Sequence, residues 1–166
     1  DVETLFLCDT VREELARTGA DLSCLPFDLT LLPDRHPYDL SGGEKQLLAL
    51  AMVLAQKPRL LLMDEPTKGL DSFFKEELGG VFRRLLQQGV TIVMVSHDVE
   101  FCARNAQHVS MFFDGQILTT TSPRHFFAQN SFYTTAANRM SRHVFSMAVT
   151  AEDVVALYQK NKEEAK

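Results

Sequence analysis

Leu40-Ser41-Gly42-Gly43-Glu44-Lys45-Gln46 and, further on, Leu60-Leu61-Leu62-Met63-Asp64-Glu65-Pro66 decide how this chain is read. Ser41 stands three residues ahead of Glu44, with Leu47, Leu48, Leu50 and Ala51 close behind. That is a capping box, in which the hydroxyl and the carboxylate satisfy the N–H groups of a starting helix. The helix is predicted to run to about Gln56, where Lys57-Pro58 stops it. Gly42 and Gly43 leave the helix start bare of side chains, so its N–H groups and positive dipole end can approach a phosphate closely. Leu60 to Met63 then lead straight into two carboxylates. A fully buried parallel strand reads this way, and ligands sit at the carboxyl ends of strands in open α/β sheets. There Asp64 can hold Mg²⁺ and Glu65 can orient or deprotonate a water.

Outward from this stretch, Pro66-Thr67-Lys68-Gly69 reads as a turn, with Asp71 or Ser72 capping a helix whose Phe73, Phe74, Leu78, Val81, Phe82, Leu85 and Leu86 are core residues. Gly79-Gly80 within it suggests close backbone packing, and Gln88-Gly89 ends it. Val90 to Val95 reads as a second buried strand running into Ser96-His97-Asp98, and Asp98 caps a helix over Val99 to Asn105. A crossover helix between parallel strands brings their ends to one sheet edge, so Glu65 and His97 are expected to face one bound phosphate. Before the central stretch, Asp1 to Leu7 looks extended, and Thr10 with Glu13 opens a short helix, Val11 to Arg17, that Gly19 ends. Asp21 to Leu32 suggests short helical turns, and Asp34 to Tyr38 a loop. After it, Asp114-Gly115 marks a hairpin between His108–Phe113 and Gln116–Thr120. Ser122-Pro123 opens a short helix through Ala128. A C-terminal extension follows, with Thr150 and Asp153 at a further helix start and a polar tail over Lys160 to Lys166.

The bulk numbers agree with one well-buried domain: 166 residues, 45% apolar and 23% charged. A net charge of −5 with no Lys/Arg cluster argues against a nucleic-acid partner. Cys8, Cys24 and Cys102 are scattered and odd in number, which indicates neither a zinc site nor a disulfide framework but buried thiols in a reducing compartment. The longest apolar run, Leu47 to Ala55, is too short to span a bilayer, and no signal peptide precedes it, so a cytoplasmic protein is expected.

In this order the motifs resemble those of the ATP-binding-cassette (ABC) ATPases. Leu40 to Gln46 is similar to their signature, Leu60 to Glu65 to their Walker B strand, Gly69-Leu70-Asp71 to their D-loop, and His97 to their switch histidine. The resemblance implies an α/β fold: a P-loop NTPase-like (RecA-like) parallel sheet with a helical signature subdomain. On this pattern residues 1–57 would be the helical subdomain and signature helix, 58–120 the RecA-like core and 121–166 the extension. It also implies ATP held between two cassettes arranged head to tail. Ser41, Gly42 and Gly43, with Glu44 in the cap where many relatives have Gln, would then meet the γ-phosphate of the partner's ATP. Asp64 would serve Mg²⁺ through water, Glu65 would polarise the attacking water and His97 would contact the γ-phosphate on the cassette's own ATP. Gly69, Leu70 and Asp71 would link the two sites. The tail resembles the energy-coupling-factor branch, in particular the second ATPase half of tandem chains. Such ATPases drive uptake of vitamins, vitamin precursors or transition-metal ions through transmembrane subunits at the inner face of the membrane.

The large departure is that G-x-x-x-x-G-K-[ST] occurs nowhere in the sequence. That Walker A loop cradles the β- and γ-phosphates in P-loop NTPases. The expectation is therefore the C-terminal portion of a cassette, lacking the Walker A strand and inactive towards ATP by itself. Two other classes remain: a non-catalytic half-cassette that only lends its signature to a partner's ATP, and a soluble cassette ATPase of DNA repair or translation. Against the last stand the acidic charge and the short helical subdomain.

Overall fold

The computed structural model describes residues 2–20 and 33–164, in two compact units, residues 1–95 and 96–166. The short turns expected over Asp21 to Leu32 lie outside the described residues. In the first unit α1 (Val11–Thr18) opens on the Thr10/Glu13 capping box and stops at Gly19, whose φ of +66° a Cβ would disfavour. α2 (Gly42–Leu54) is the buried centre of the unit, with Leu47, Leu48, Ala49, Leu50, Ala51 and Met52 all inside. Truncating Leu47 or Leu48, each almost wholly buried, would cost about 2–5 kcal/mol through lost transfer and an unfilled cavity.

The start of the chain departs from expectation. Val2–Leu5 is a 3-10 turn instead of an extended segment. The Phe6 N–H closes on the Glu3 carbonyl at 3.2 Å, Phe6 is buried, and Lys45 Nζ holds Glu3 Oε1 at 2.6 Å. A contact with a partner 42 positions away therefore shapes this end. Behind it, the buried Glu14 carboxylate accepts from the backbone N–H groups of Leu7 and of Cys8 (2.7 Å), and from Arg17 Nη2 at 2.6 Å.

β1 (Leu60–Asp64) and β2 (Thr91–Val95) pair in parallel, Leu60 opposite Thr91 through Asp64 opposite Val95, and α3 (Ser72–Gln87) joins them. The expected crossover is present, but neither strand is buried on both faces. Leu61 faces inward, while Leu60, Leu62, Val93 and Val95 are 52–68% exposed. Burying both faces of a parallel sheet takes a layer on each side; among the described residues one face of this pair stays bare. α3 buries Leu78, Val81, Phe82 and Leu85, whereas Phe73, expected in the core, is 63% exposed. Nor do the helix glycines imply close packing at Gly80, where an added Cβ would meet only the Arg83 guanidinium, at 3.9 Å.

In the second unit α4 (Val99–Asn105) starts on Asp98, as expected. β3 (Val109–Phe113) and β4 (Gln116–Thr121) form the hairpin, turned by Asp114 and Gly115 with φ of +48° and +74°, the signs a primed turn needs. α5 (Pro123–Gln129) supplies Phe126 and Phe127, which with Val149 form the core against Val99, Cys102, Val109 and Met111. The extension adds α6 (Ala136–Ser141) and α7 (Ala151–Glu164), so the polar tail stays helical through Glu164. Its polar hub is the buried Asn138: Nδ2 donates to the Ala148 and Ser146 carbonyls at 2.8 and 3.0 Å, while Oδ1 accepts from Arg142 and Thr134.

Candidate functional site

The tip of α2 is built almost wholly from backbone. Ser41 Oγ accepts from the Glu44 N–H at 3.3 Å, and Glu44 Oε2 accepts from the Ser41 N–H at 2.7 Å, so the one acid at this tip is turned into the cap. Gly42 and Gly43 then enter the helix without positive φ. An added Cβ on Gly42 would meet nothing within 4 Å, and on Gly43 it would make ordinary contact with Leu70 and Phe74 at 3.4–3.6 Å. Each glycine costs a helix about 1 kcal/mol relative to alanine. Neither backbone strain nor a crowded neighbour requires Gly42. Ser41 and Gly42 are exposed, and among the described residues no protein group accepts from the Gly42 or Gly43 N–H. The positive end of the helix is thus open to an anion.

The end of β1 is built from side-chain charge. The Glu65 N–H donates to the Val95 carbonyl at 2.8 Å, one residue beyond the strand, and Glu65 then turns the chain with φ of +48°. A non-glycine residue held there carries strain on the order of 1–3 kcal/mol and persists only where its surroundings fix it. Here buried Pro66 and Thr67 and the bond from Lys68 N–H to the Glu65 carbonyl, 3.0 Å, do so. Asp64 is exposed and Glu65 half-buried. Among the described residues no group of three or more His, Cys, Asp or Glu could enclose a metal ion. Mg²⁺, which keeps water and takes phosphate oxygens, needs only one or two carboxylates, and the exposed Asp64 carboxylate could be one.

Gly69, φ +76°, and Leu70 close the following turn, Leu70 N–H bonding the Thr67 carbonyl at 3.1 Å. Asp71 Oδ1 caps α3 by accepting from the Phe74 N–H at 2.9 Å. The structure therefore joins two motifs that are separate in sequence, since Leu70 and Phe74 lie directly behind Gly43. Phe74 read as one more core aromatic; no feature of its spacing marked it. His97 belongs to the second unit, exposed, between Ser96, whose Oγ accepts from the Asp98 N–H at 3.1 Å, and Asp98, whose Oδ1 caps Phe101 at 3.0 Å.

A model of the family described as "AAA domain, putative AbiEii toxin, Type IV TA system" matches residues 29–103, the span holding the α2 tip, both parallel strands and His97. A Bacillus cereus protein named "Putative ABC transporter ATP-binding protein" is 52% identical over 160 residues, 90% of this chain and 29% of that protein. The Bacillus cereus match supports a cassette family, the ATP-binding cassettes of ABC transporters. The energy-coupling factor transporter ATP-binding protein EcfA2 of Latilactobacillus sakei is 42% identical over 123 residues, 74% of this chain and 42% of that one. Among solved structures, cbiO1 of Clostridium perfringens, part of the ABC transporter complex cbiONQ, superposes with a TM-score of 0.56 at 27% identity. That match covers 81% of this chain and 48% of the other. The cassette fold is thus that of P-loop NTPases, mixed α/β with a parallel sheet. The chain spans less than a third of the Bacillus cereus relative's length.

Proposed function

We propose that this chain is part of the ATP-binding subunit of an ABC-type importer, coupling ATP hydrolysis to uptake of a small solute such as a vitamin, a vitamin precursor or a metal ion. The observation that carries the reading is Gly42: a glycine at an open helix start that neither φ nor a neighbour among the described residues requires. A ligand approaching the backbone does require it. Ser41 and the N–H groups of Gly42 and Gly43 bind the γ-phosphate of ATP held by a second cassette, through hydrogen bonds and the helix dipole. On its own ATP, Asp64 would serve Mg²⁺ and Glu65 would orient and deprotonate the attacking water; His97, in the second unit, would hydrogen-bond a γ-phosphate as charge develops. Bound ATP with Mg²⁺ supplies the reactive phosphoryl group. Gly69, Leu70 and Asp71 meet the partner cassette. The solute class rests on the likeness to EcfA2 and to cbiO1. Transmembrane subunits carry the solute and hold the cassette at the inner face of the membrane; among the described residues no helix is long and apolar enough to cross it.

The complete α2 tip, in a sequence without G-x-x-x-x-G-K-[ST], favours a second reading, in which these residues only lend their signature to a partner's ATP. It also leads us to expect no appreciable ATP turnover from the 166 residues alone. Turnover by the full-length protein with its partner cassette separates the readings, using Ser41→Arg and Glu65→Gln singly. Loss with both supports the motor, and loss with Ser41→Arg only supports the lending role. Activity surviving Ser41→Arg removes the proposal.

A further inference from the structure

We propose that Phe74 is a positioning residue for the phosphate-capping tip, an inference that rests on the function proposed above. The tip has a wet side and a dry side. Gly42 faces open space, while Gly43, one residue on, is buried, with Leu70 Cδ2 3.4 Å from where its Cβ would lie and Phe74 Cδ1 and Cε1 at 3.5 and 3.6 Å. The dry side is therefore the edge of one aromatic ring and one leucine.

That ring is tied at its other end to the acid expected to meet the partner. Asp71 Oδ1 accepts from the N–H of Phe74 itself, at 2.9 Å, and the Phe73 ring stands edge-on to the Phe74 ring, 6.0 Å between centroids at 86°. Asp71 is thus bonded to the Phe74 backbone, and the Phe74 ring stands about one methyl's width behind Gly43. Close-packed side chains transmit displacement and do not absorb it. A movement of Asp71 against the partner shifts the start of α3, and the ring passes that shift to the N–H groups that cap the phosphate. Phe74 is only half-buried, one turn ahead of Leu78, so core burial alone does not account for an aromatic there.

The test uses the full-length protein with its partner cassette and reads kcat and the KM for ATP separately. Removing the ring lets the tip settle away from the phosphate, and misplacements of that scale lower turnover steeply, so Phe74→Ala is expected to lower kcat about tenfold. KM stays within about twofold, because ATP is held chiefly by the second cassette and the tip adds its contacts to an ATP already held there. Phe74→Leu keeps most of the wedge and most of kcat. Gly43→Ala added to Phe74→Ala puts a methyl into the vacated space and restores part of kcat, where independent sites would multiply their losses. Should Phe74→Ala fail to fold, Phe74→Leu with and without Gly43→Ala decides by the same criterion: non-multiplicative effects support the wedge and multiplicative ones overturn it. Unchanged kcat in folded Phe74→Ala, with Ser41→Arg inactive, removes this inference and leaves the proposed function standing. An active Ser41→Arg removes both.

Discussion

The tip of α2 and the end of β1 are built by opposite means. At the tip the acid Glu44 is folded back onto Ser41, and what faces solvent is bare backbone. At the strand end the backbone is spent on the sheet and the turn, Glu65 N–H on Val95 and its carbonyl on Lys68, and the exposed acid is Asp64. One end exposes the start of a helix; under the proposed function the other would offer oxygen atoms for a cation and a base for water. Two glutamates in one unit therefore have unlike duties, and the difference comes from where each backbone puts its hydrogen bonds.

The same substitution at both acids exposes that contrast most strongly. Glu65→Gln removes the base and is expected to cut ATP turnover about 10²–10⁴-fold with nucleotide still bound. Glu44→Gln keeps an acceptor for the Ser41 N–H, and folding stability, read by denaturant titration, stays within about 0.5 kcal/mol of the parent. Equal losses of turnover and of stability at the two positions would erase the distinction.

Glu14, a third acid of the same unit, sharpens it, being wholly internal and structural. Burial alone would raise its pKa. The hydrogen bonds from Arg17, Cys8 and Leu7, with the Arg17 charge, outweigh burial and hold the carboxyl below its ordinary value. A lowered folded-state pKa adds stability that is complete above the ordinary pKa and is lost as pH falls through the folded value. Glu14→Gln is thus expected to destabilise by about 1–3 kcal/mol at neutral pH, with the gap to the parent closing under acid. A gap that stays constant down to the acid limit would mean that the charge contributes nothing.

Local chemistry was legible in the sequence, and layer chemistry was not. The caps at Thr10, Ser41, Asp71 and Asp98 and the Asp114-Gly115 turn depend on neighbours within four residues, and each appears where the sequence places it. The bare face at Leu62 and Val93 depends on what covers a sheet, which a run of apolar residues does not specify. The 3-10 turn at Val2–Leu5 is held by partners distant in sequence, Lys45 and Tyr38 on Glu3, and the left-handed Glu65 by the buried Pro66-Thr67 turn. Phe74 shows the same limit: its spacing assigns it to a core, and only packing shows that it stands behind Gly43.

The smallest effect tests the tip by itself. Gly42→Ala meets no neighbour and needs no change of φ. As far as the fold is concerned the methyl is an improvement, and melting should show a gain of about 0.5–1 kcal/mol from the reduced entropy of the unfolded chain and the better helix propensity. As far as a phosphate is concerned the methyl is an obstacle, since it stands beside the N–H groups that must come within hydrogen-bond distance of an oxygen. Stability should therefore rise while turnover with the partner cassette falls. A rise in both would show that no ligand comes close at Gly42. A fall in both would show that the glycine serves the fold after all, through a contact absent from the helix start as it stands.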